Sequence, residues 1–196
     1  RGTTSTSEKD PTGPIEWRAM LPRVRTVFSG AVTYEASWDR VPVRLGPDGP
    51  LRASAPEMVA SEIAPELDAI SVSGTAPLRA GPDGDLTAAA RAFVADLGEL
   101  SRREKKPVLL GEMGYSATAD TATTPWRAQG PVDETAQARA WRAIADALRG
   151  EDSICGAIVY GLPFDPARSS PAAVFSPLKR PAFAAVRDAL AALRCP

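Results

Sequence analysis

Histidine is absent from all 196 residues, and its absence excludes several kinds of active site. Ser-His-Asp and Cys-His catalysis both require an imidazole, and so do His-based zinc sites. The two cysteines, Cys155 and Cys195, are too few to build a zinc or iron-sulfur site by themselves. They are enough for one disulfide.

Long apolar runs and an excess of charge are also lacking. No apolar stretch approaches the roughly 20 residues that a membrane span requires. The 23 basic and 24 acidic side chains are interspersed and give a formal net charge of -1. Nothing therefore resembles the electrostatic footprint of a protein that binds nucleic acid or an anionic membrane. We expect neither a membrane span nor a nucleic-acid partner.

A regular alternation of helix and strand patterns is present instead. Apolar residues at helical spacing predict helices over 15–28, 57–63, 86–103, 133–148 and from 181 to the end. Short apolar runs predict strands over 31–34, 67–72, 108–110 and 157–160. Polar turn formers predict a loop or frayed end over 1–14. This alternation favours βαβ crossovers and a parallel sheet within a single α/β domain.

Several local signals predict where helices end and which face they bury. Asp133 is placed to cap the helix that follows it, and Gly150 is placed to close that helix. Pro22 should bend or interrupt the first helix. In the last helix the expected buried stripe is Phe183, Val186, Leu190 and Leu193.

The most informative stretch is K-P-V-L-L-G-E-M-G-Y at 106–115. Its apolar run is typical of a short strand covered on both faces. Glu112 follows that run between two glycines, and the carboxyl ends of strands are where α/β folds place their chemistry. Glu112 is therefore a candidate catalytic carboxylate. The alternative is a loop glutamate that only solvates a turn.

Two architectures contain alternating strands and helices: a doubly wound open sheet and a (β/α)8 barrel. The first strand-to-helix link lacks the G-x-G-x-x-G of dinucleotide folds, and no phosphate-binding P-loop motif occurs. Polar or aromatic residues follow several strands at one end, as around a barrel mouth: Tyr34, Glu35, Ser73, Thr75, Glu112, Tyr115 and Tyr160. The prediction is a barrel of the TIM type.

From Trp17 onward the chain resembles the C-terminal half of glycoside hydrolase family 113, the β-mannanase-type TIM barrels. The matching runs, in order, are W-R-A-M-L-P-R-V-R-T-V-F-S-G-A-V-T-Y-E-A-S-W-D, E-L-D-A-I-S-V-S-G-T-A-P-L, K-P-V-L-L-G-E-M-G-Y, T-P-W and V-D-E-T-A-Q-A-R-A-W. The resemblance implies that residues 1–196 form one domain that supplies about strands five to eight. We therefore expect a fragment, with the N-terminal half of the barrel as its partner.

The resemblance also implies a retaining mechanism, which needs two carboxylates. Glu112 matches the position of the family's nucleophile. The acid/base glutamate is expected within a G-[TN]-E sequence, and Thr4 stands there instead. Three possibilities stay open: Glu8 is that residue, Glu35 has taken the role, or the site is inactive.

Aromatic side chains are the second requirement, because sugar rings stack on them. The candidate sugar contacts are Trp126, which has no periodic reason to be buried, together with Tyr34, Trp38, Tyr115 and Tyr160. Trp17 and Trp141 lie on helical stripes and are expected in the core.

These observations predict a glycoside hydrolase acting on a β-linked polysaccharide such as mannan, without a cofactor. The alternative is a catalytically inactive barrel that binds carbohydrate or a protein. Cys155 would begin the last strand and Cys195 would end the last helix, so both lie at the bottom of a barrel. A disulfide between them would favour a secreted or cell-surface protein, and free thiols a cytoplasmic one.

Overall fold

The computed structural model describes residues 13–37, 63–80, 84–162 and 174–194, and the side chains from residue 19 onward within them. The helices are α1 (Gly13–Val27), α2 (Thr87–Glu104), α3 (Glu134–Leu148) and α4 (Ala182–Ala192). The strands are β1 (Glu35–Ala36), β2 (Ile70–Val72), β3 (Val108–Met113) and β4 (Ile154–Val159). A short 3-10 turn at Ala64–Glu66 precedes β2. The predicted alternation of strands and helices is confirmed.

All four strands are parallel, and they follow one another across the sheet in the order β1-β2-β3-β4. A doubly wound sheet reverses its strand order at a switch point, whereas a barrel adds each new strand on the same side. The observed order is therefore that of a barrel segment, as the sequence predicted.

One face of this sheet carries the hydrophobic core. Ala36, Val72 and Leu110 lie side by side in neighbouring strands and are buried. They pack in one cluster with residues of α2 and α3, among them Phe93 and Trp141, both at 0% exposure. Trp141 is thus a core residue, as expected. Successive side chains alternate between faces, so the neighbouring row lies on the opposite, concave face.

The first strand is shorter and later than predicted. Residues 31–34 form no regular strand, but both backbone and side-chain hydrogen bonds hold them beside the start of the second strand: Asp68 N donates to Val32 O at 2.9 Å. Val32 N donates to Asp68 Oδ2 at 2.7 Å, and Thr33 Oγ1 donates to Ala69 O at 2.8 Å. Regular pairing begins only at Glu35, opposite Ser71. Glu35 consequently belongs to the strand itself rather than to the loop after it.

Half of the predicted buried stripe of the last helix is wrong. Val186 is buried and Leu193 is partly buried against the core, but Phe183 and Leu190 are 42% and 41% exposed. The buried face is instead Ala182, Ala185, Val186 and Ala189. It packs against α3, whose buried face is also rich in alanine. Small side chains let two helices approach closely. The close contact between the alanine faces of α3 and α4 therefore decides which face of α4 is buried, although the side chains of Phe183 and Leu190 are larger.

The predicted start and end of the helix over 133–148 are confirmed. The Asp133 side chain accepts a hydrogen bond from Ala136 N at 2.8 Å and caps α3. Gly150 follows this helix with a φ of 94°. In contrast, α1 runs through Pro22 to Val27 without interruption. Residues 1–12 and most of the helix predicted over 57–63 lie outside the described residues. Among the residues that the structure does describe, no helix is long and apolar enough to cross a membrane.

Candidate active site

A β-bulge determines where Glu112 points. Leu110 pairs with Ala157 and Glu112 pairs with Ile158, so Gly111 is an extra residue in β3. Without the bulge, alternation would place Glu112 on the same face as Leu110, against the helices. With it, Leu110 and Met113 are buried on that face while Glu112 is exposed on the concave face. Glu112 therefore lies inside β3 near its carboxyl end, because the strand continues beyond the predicted 108–110 to Met113.

Glu35 reaches the same place from β1, two strands away. Its Oε1 accepts a hydrogen bond from the backbone N–H of Glu112 at 3.1 Å. The carboxyl group passes over Gly111, where a Cβ would overlap both of its oxygens. The structure thus brings together two carboxylates that the sequence separates by 77 residues.

The environment of Glu35 changes its acidity. Partial burial raises the pKa of this carboxyl above the ordinary glutamate value, and the negative charge of Glu112 raises it further. The Glu112 N–H opposes both effects, because it stabilises the ionised carboxylate. The net pKa is raised, so Glu35 holds its proton to a higher pH than an isolated glutamate. A raised pKa is the direction of change that a carboxyl needs to act as a proton donor.

The neighbouring strand completes the surroundings of Glu112. Ile158 of β4 lies directly opposite Glu112 and is 68% exposed on the concave face. Tyr160 follows at the end of β4, 45% exposed, and its N–H donates to Met113 O at 2.8 Å. An apolar and an aromatic side chain therefore flank the two carboxylates.

The predicted sugar contacts differ in how accessible they are. Trp126 is 48% exposed, so its ring presents a surface to solvent. Tyr34 is half-buried and packs against the core. Trp38 lies outside the described residues, as do Thr4 and Glu8.

Tyr115 is a correction to the predicted set, because it is fully buried. Its ring meets Trp141 edge-on, with centroids 5.8 Å apart. Its hydroxyl donates to Ala76 O at 3.3 Å. The bulge explains this placement: the extra residue shifts the end of β3, and the chain after Met113 turns into the core. No face of the Tyr115 ring is open to a sugar.

Two residues near the carboxylates were not singled out from the sequence. No local pattern marks Gly111, yet it leaves space for Glu35. Ile158 lies in the predicted strand over 157–160, where no pattern marks it as part of a site. Its place beside Glu112 depends on strand register, for which the sequence contains no local signal.

Of the two cysteines predicted to form a disulfide, the structure describes only Cys155. Cys155 is half-buried, and it is the extra residue of a second irregularity, between the pairs Val108–Ile154 and Leu109–Gly156. Cys195 lies outside the described residues, one residue after the last described position. The disulfide stays a prediction.

Residues 7–165 match the family model described as Glycoside Hydrolase Family 113. Three solved structures share the fold. One is a GH113 β-mannanase, AaManA, from Alicyclobacillus acidocaldarius in complex with ManMIm, with a TM-score of 0.63 and 22% identity over 92% of this chain and 52% of that one.

The other two solved structures are GH113 β-1,4-mannanases. One, a complex, has a TM-score of 0.62 and 17% identity over 88% of this chain and 50% of its own. The other has a TM-score of 0.62 and 16% identity over 90% of this chain and 50% of its own. The chain thus spans about half the length of each solved structure. No curated protein matches the sequence.

Proposed function

This chain belongs to glycoside hydrolase family 113, and on that premise we propose that it forms part of a retaining glycosidase that acts on a β-linked mannan. Its four strands would be strands five to eight of the barrel. The proposal depends on one observation above all: Glu35 and Glu112, from different strands, meet on the concave face of the sheet. Retaining glycosidases require such a pair, with carboxyl groups about 5 to 5.5 Å apart.

We assign the nucleophile role to Glu112. Its carboxylate attacks the anomeric carbon of the sugar, and the bond from that carbon to the leaving oxygen breaks. The side chain is exposed on the concave face, whereas its backbone is fixed by the pairing with β4 and by Glu35. A nucleophile must be reachable by substrate, and a fixed backbone limits the positions that its side chain can take.

We assign the acid/base role to Glu35. In the first step it would donate its proton to the departing glycosidic oxygen, and in the second it would take a proton from the water that releases the sugar from Glu112. The raised pKa supports the first step, because the carboxyl must be protonated when substrate binds. This places the acid/base residue on a different strand from the one where the family resemblance leads us to expect it.

A second candidate function is favoured by the same hydrogen bond. Because Glu35 accepts the Glu112 N–H, it could serve only to fix the backbone of β3. The site would then lack a proton donor, and the protein would bind mannan or a protein without hydrolysing it. The two functions make different predictions for the same variants.

The test uses Glu112→Gln and Glu35→Gln in the protein as its gene encodes it, with Glu99→Gln as control. Glu99 is an exposed glutamate of α2 that pairs with Arg102, and α2 packs on the face of the sheet opposite Glu112. We expect Glu112→Gln to abolish hydrolysis of β-mannan and of an aryl β-mannoside, and the control to match the parent.

Glu35→Gln separates the two functions. If Glu35 is the acid, hydrolysis of mannan falls by about 10² to 10⁴-fold, while an aryl mannoside with a good leaving group is still cleaved in the first step. Equal activity of Glu35→Gln and parent on mannan would refute the acid/base assignment. Mannan binding by a parent that cleaves neither substrate would support the inactive barrel.

A further inference from the structure

The exposed ring of Tyr160 is supported by a second aromatic ring. Phe175 meets it edge-on, with ring centroids 5.2 Å apart and planes at 78°. Aromatic pairs prefer this geometry, which contributes about 0.5 to 1.5 kcal/mol beyond simple burial. One side of the Tyr160 ring is therefore in contact with Phe175, while 45% of the residue remains exposed.

Two glycines allow this contact. Gly161 has a φ of 79°, a conformation that side chains rarely adopt, and a Cβ there would lie 2.5 Å from Phe175 Cβ. The backbone after Tyr160 thus turns directly against Phe175. On the other side, a Cβ at Gly114 would lie 3.3 Å from Tyr160 Cβ. Tyr160 is confined between β3 and the segment that carries Phe175.

That segment, residues 174–180, is itself anchored. The buried Gln137 donates from Nε2 to Phe175 O at 3.3 Å. Arg180 donates from one nitrogen to Val174 O and Ser176 O, each at 3.0 Å. Its Nε lies 3.2 Å from Glu134 Oε1, at the first residue of α3. Phe175 is consequently attached to the helix layer rather than to a freely moving loop.

We propose that Phe175 is a positioning residue that fixes the ring of Tyr160 as a sugar-contact surface beside Glu112. The inference rests on the proposed function, because it takes Tyr160 as a contact for the sugar. Ile158 pairs with Glu112 and Val159 with Met113, so Tyr160 lies two residues beyond the row that holds Glu112 and on the same face of the sheet. A ring that is already held in place loses less conformational freedom when a sugar stacks on it.

This role predicts a particular kinetic pattern. Removing the Phe175 ring leaves Tyr160 present but free to rotate. Contacts made equally in the ground state and the transition state are lost, so KM rises and kcat changes little. We expect Phe175→Ala to raise KM for β-mannooligosaccharides by about 3- to 10-fold, the equivalent of losing one edge-to-face pair. Phe175→Tyr, which keeps the ring, should restore KM to near the parent value.

The control is Phe183→Ala, which removes the same ring from an exposed position on α4. It should leave KM unchanged. The double variant Phe175→Ala/Tyr160→Ala should match Tyr160→Ala alone, since the effect of Phe175 acts through Tyr160. If Phe175→Ala fails to fold, Phe175→Leu retains the volume without the ring and is measured in its place.

Unchanged KM in Phe175→Ala, or a full additional effect in the Tyr160→Ala background, would overturn the inference. Its failure is distinguishable from failure of the proposed function. If the parent does not hydrolyse mannan, the proposed function fails, and binding of the same oligosaccharides then tests the role of Phe175. Weaker binding by Phe175→Ala than by the parent supports that role. Equal binding by the two proteins, or no binding by either, overturns it.

Discussion

The carboxyl group of Glu35 occupies the space that a side chain at position 111 would fill. A Cβ built on Gly111 would overlap the Glu35 oxygens, and the adjacent N–H, that of Glu112, donates to Glu35 Oε1 at 3.1 Å. Gly111 has no positive φ, so its backbone conformation does not demand glycine. Space for Glu35 is the physical reason for glycine at this position.

Gly111→Ala should therefore act as an indirect change to Glu35. The added methyl group displaces the carboxyl, and the Glu112 N–H loses its acceptor, a loss worth about 1 to 3 kcal/mol. We expect activity on mannan to fall by about 10- to 100-fold, measured as kcat/KM. In the Glu35→Ala background the same substitution should have little further effect.

Gly156→Ala is the matched control, because Gly156 lies on the same face and its Cβ would meet only the flexible end of Leu109, at 2.9 Å. A control as damaging as Gly111→Ala would contradict the argument. So would fully additive losses in the double variant.

The pKa of Glu35 in the folded protein should lie above the ordinary glutamate value, first because of burial and then because of the Glu112 charge. Carbon-13 NMR titration of the glutamate carboxyls measures it. In Glu112→Gln the neighbouring charge is gone, so the pKa of Glu35 should fall. An unchanged pKa in that variant would show that the two groups do not interact.

The same shift links stability to pH. A carboxyl with a raised folded-state pKa favours folding while it is protonated, below its unfolded pKa, and this contribution is lost as pH rises through the folded pKa. Glu35→Gln cannot ionise, yet its amide oxygen still accepts the Glu112 N–H. We expect the free energy of unfolding of Glu35→Gln, relative to that of the parent, to increase from pH 4 to pH 7. Chemical denaturation at both pH values measures it, and a decrease would contradict the sign.

Trp126 should contribute to binding of the polysaccharide. Its ring, 48% exposed, offers a surface on which a sugar can stack. Trp126→Ala should raise KM for mannan by about 3- to 10-fold, the equivalent of 0.5 to 1.5 kcal/mol. Trp126→Phe, which keeps a smaller ring, should lie between that variant and the parent. Equal KM in all three proteins would remove Trp126 from the site.

Tyr115 should affect stability and not sugar binding. Tyr115→Phe loses the hydrogen bond from the hydroxyl to Ala76 O and should cost about 1 kcal/mol in unfolding free energy. Its KM should equal that of the parent, because the ring is fully buried. Tyr160→Phe is the control and should leave stability unchanged, as Tyr160 is exposed. A raised KM in Tyr115→Phe would contradict the burial of this residue.

The cysteines should form a disulfide if the last strand and the end of the last helix meet at the bottom of the barrel. Titration of the denatured, unreduced protein should then find no reactive thiol. Cys155→Ser and Cys195→Ser should each lower the unfolding free energy by about 3 to 4 kcal/mol, with no further loss in the double variant. Two reactive thiols would exclude the bridge and remove the argument for secretion.

Local sequence determined the elements of this fold. The run V-L-L at 108–110, the cap at Asp133 and the glycine at position 150 each depend on neighbours a few residues away, so their structures follow from local hydrogen bonding and periodicity. The predicted helices over 86–103 and 133–148 agree with α2 and α3 to within a residue or two at each end. Glu112 was also recognisable, because a carboxylate after a buried strand is a local pattern.

Only the tertiary structure decided how these elements meet. The face of α4 that is buried depends on the alanines of α3, and the exposure of Phe183 could not be read from its own helix. Glu35 lies on β1 and Glu112 on β3, with β2 between them. The Glu35 side chain can reach across β2 because the extra residue Gly111 turns Glu112 to the same face and leaves space for the carboxyl group. A one-residue change of register reverses which face a side chain occupies. The sequence by itself therefore determined which residues could do chemistry, and long-range pairing, which has no local signal, decided which of them stand together.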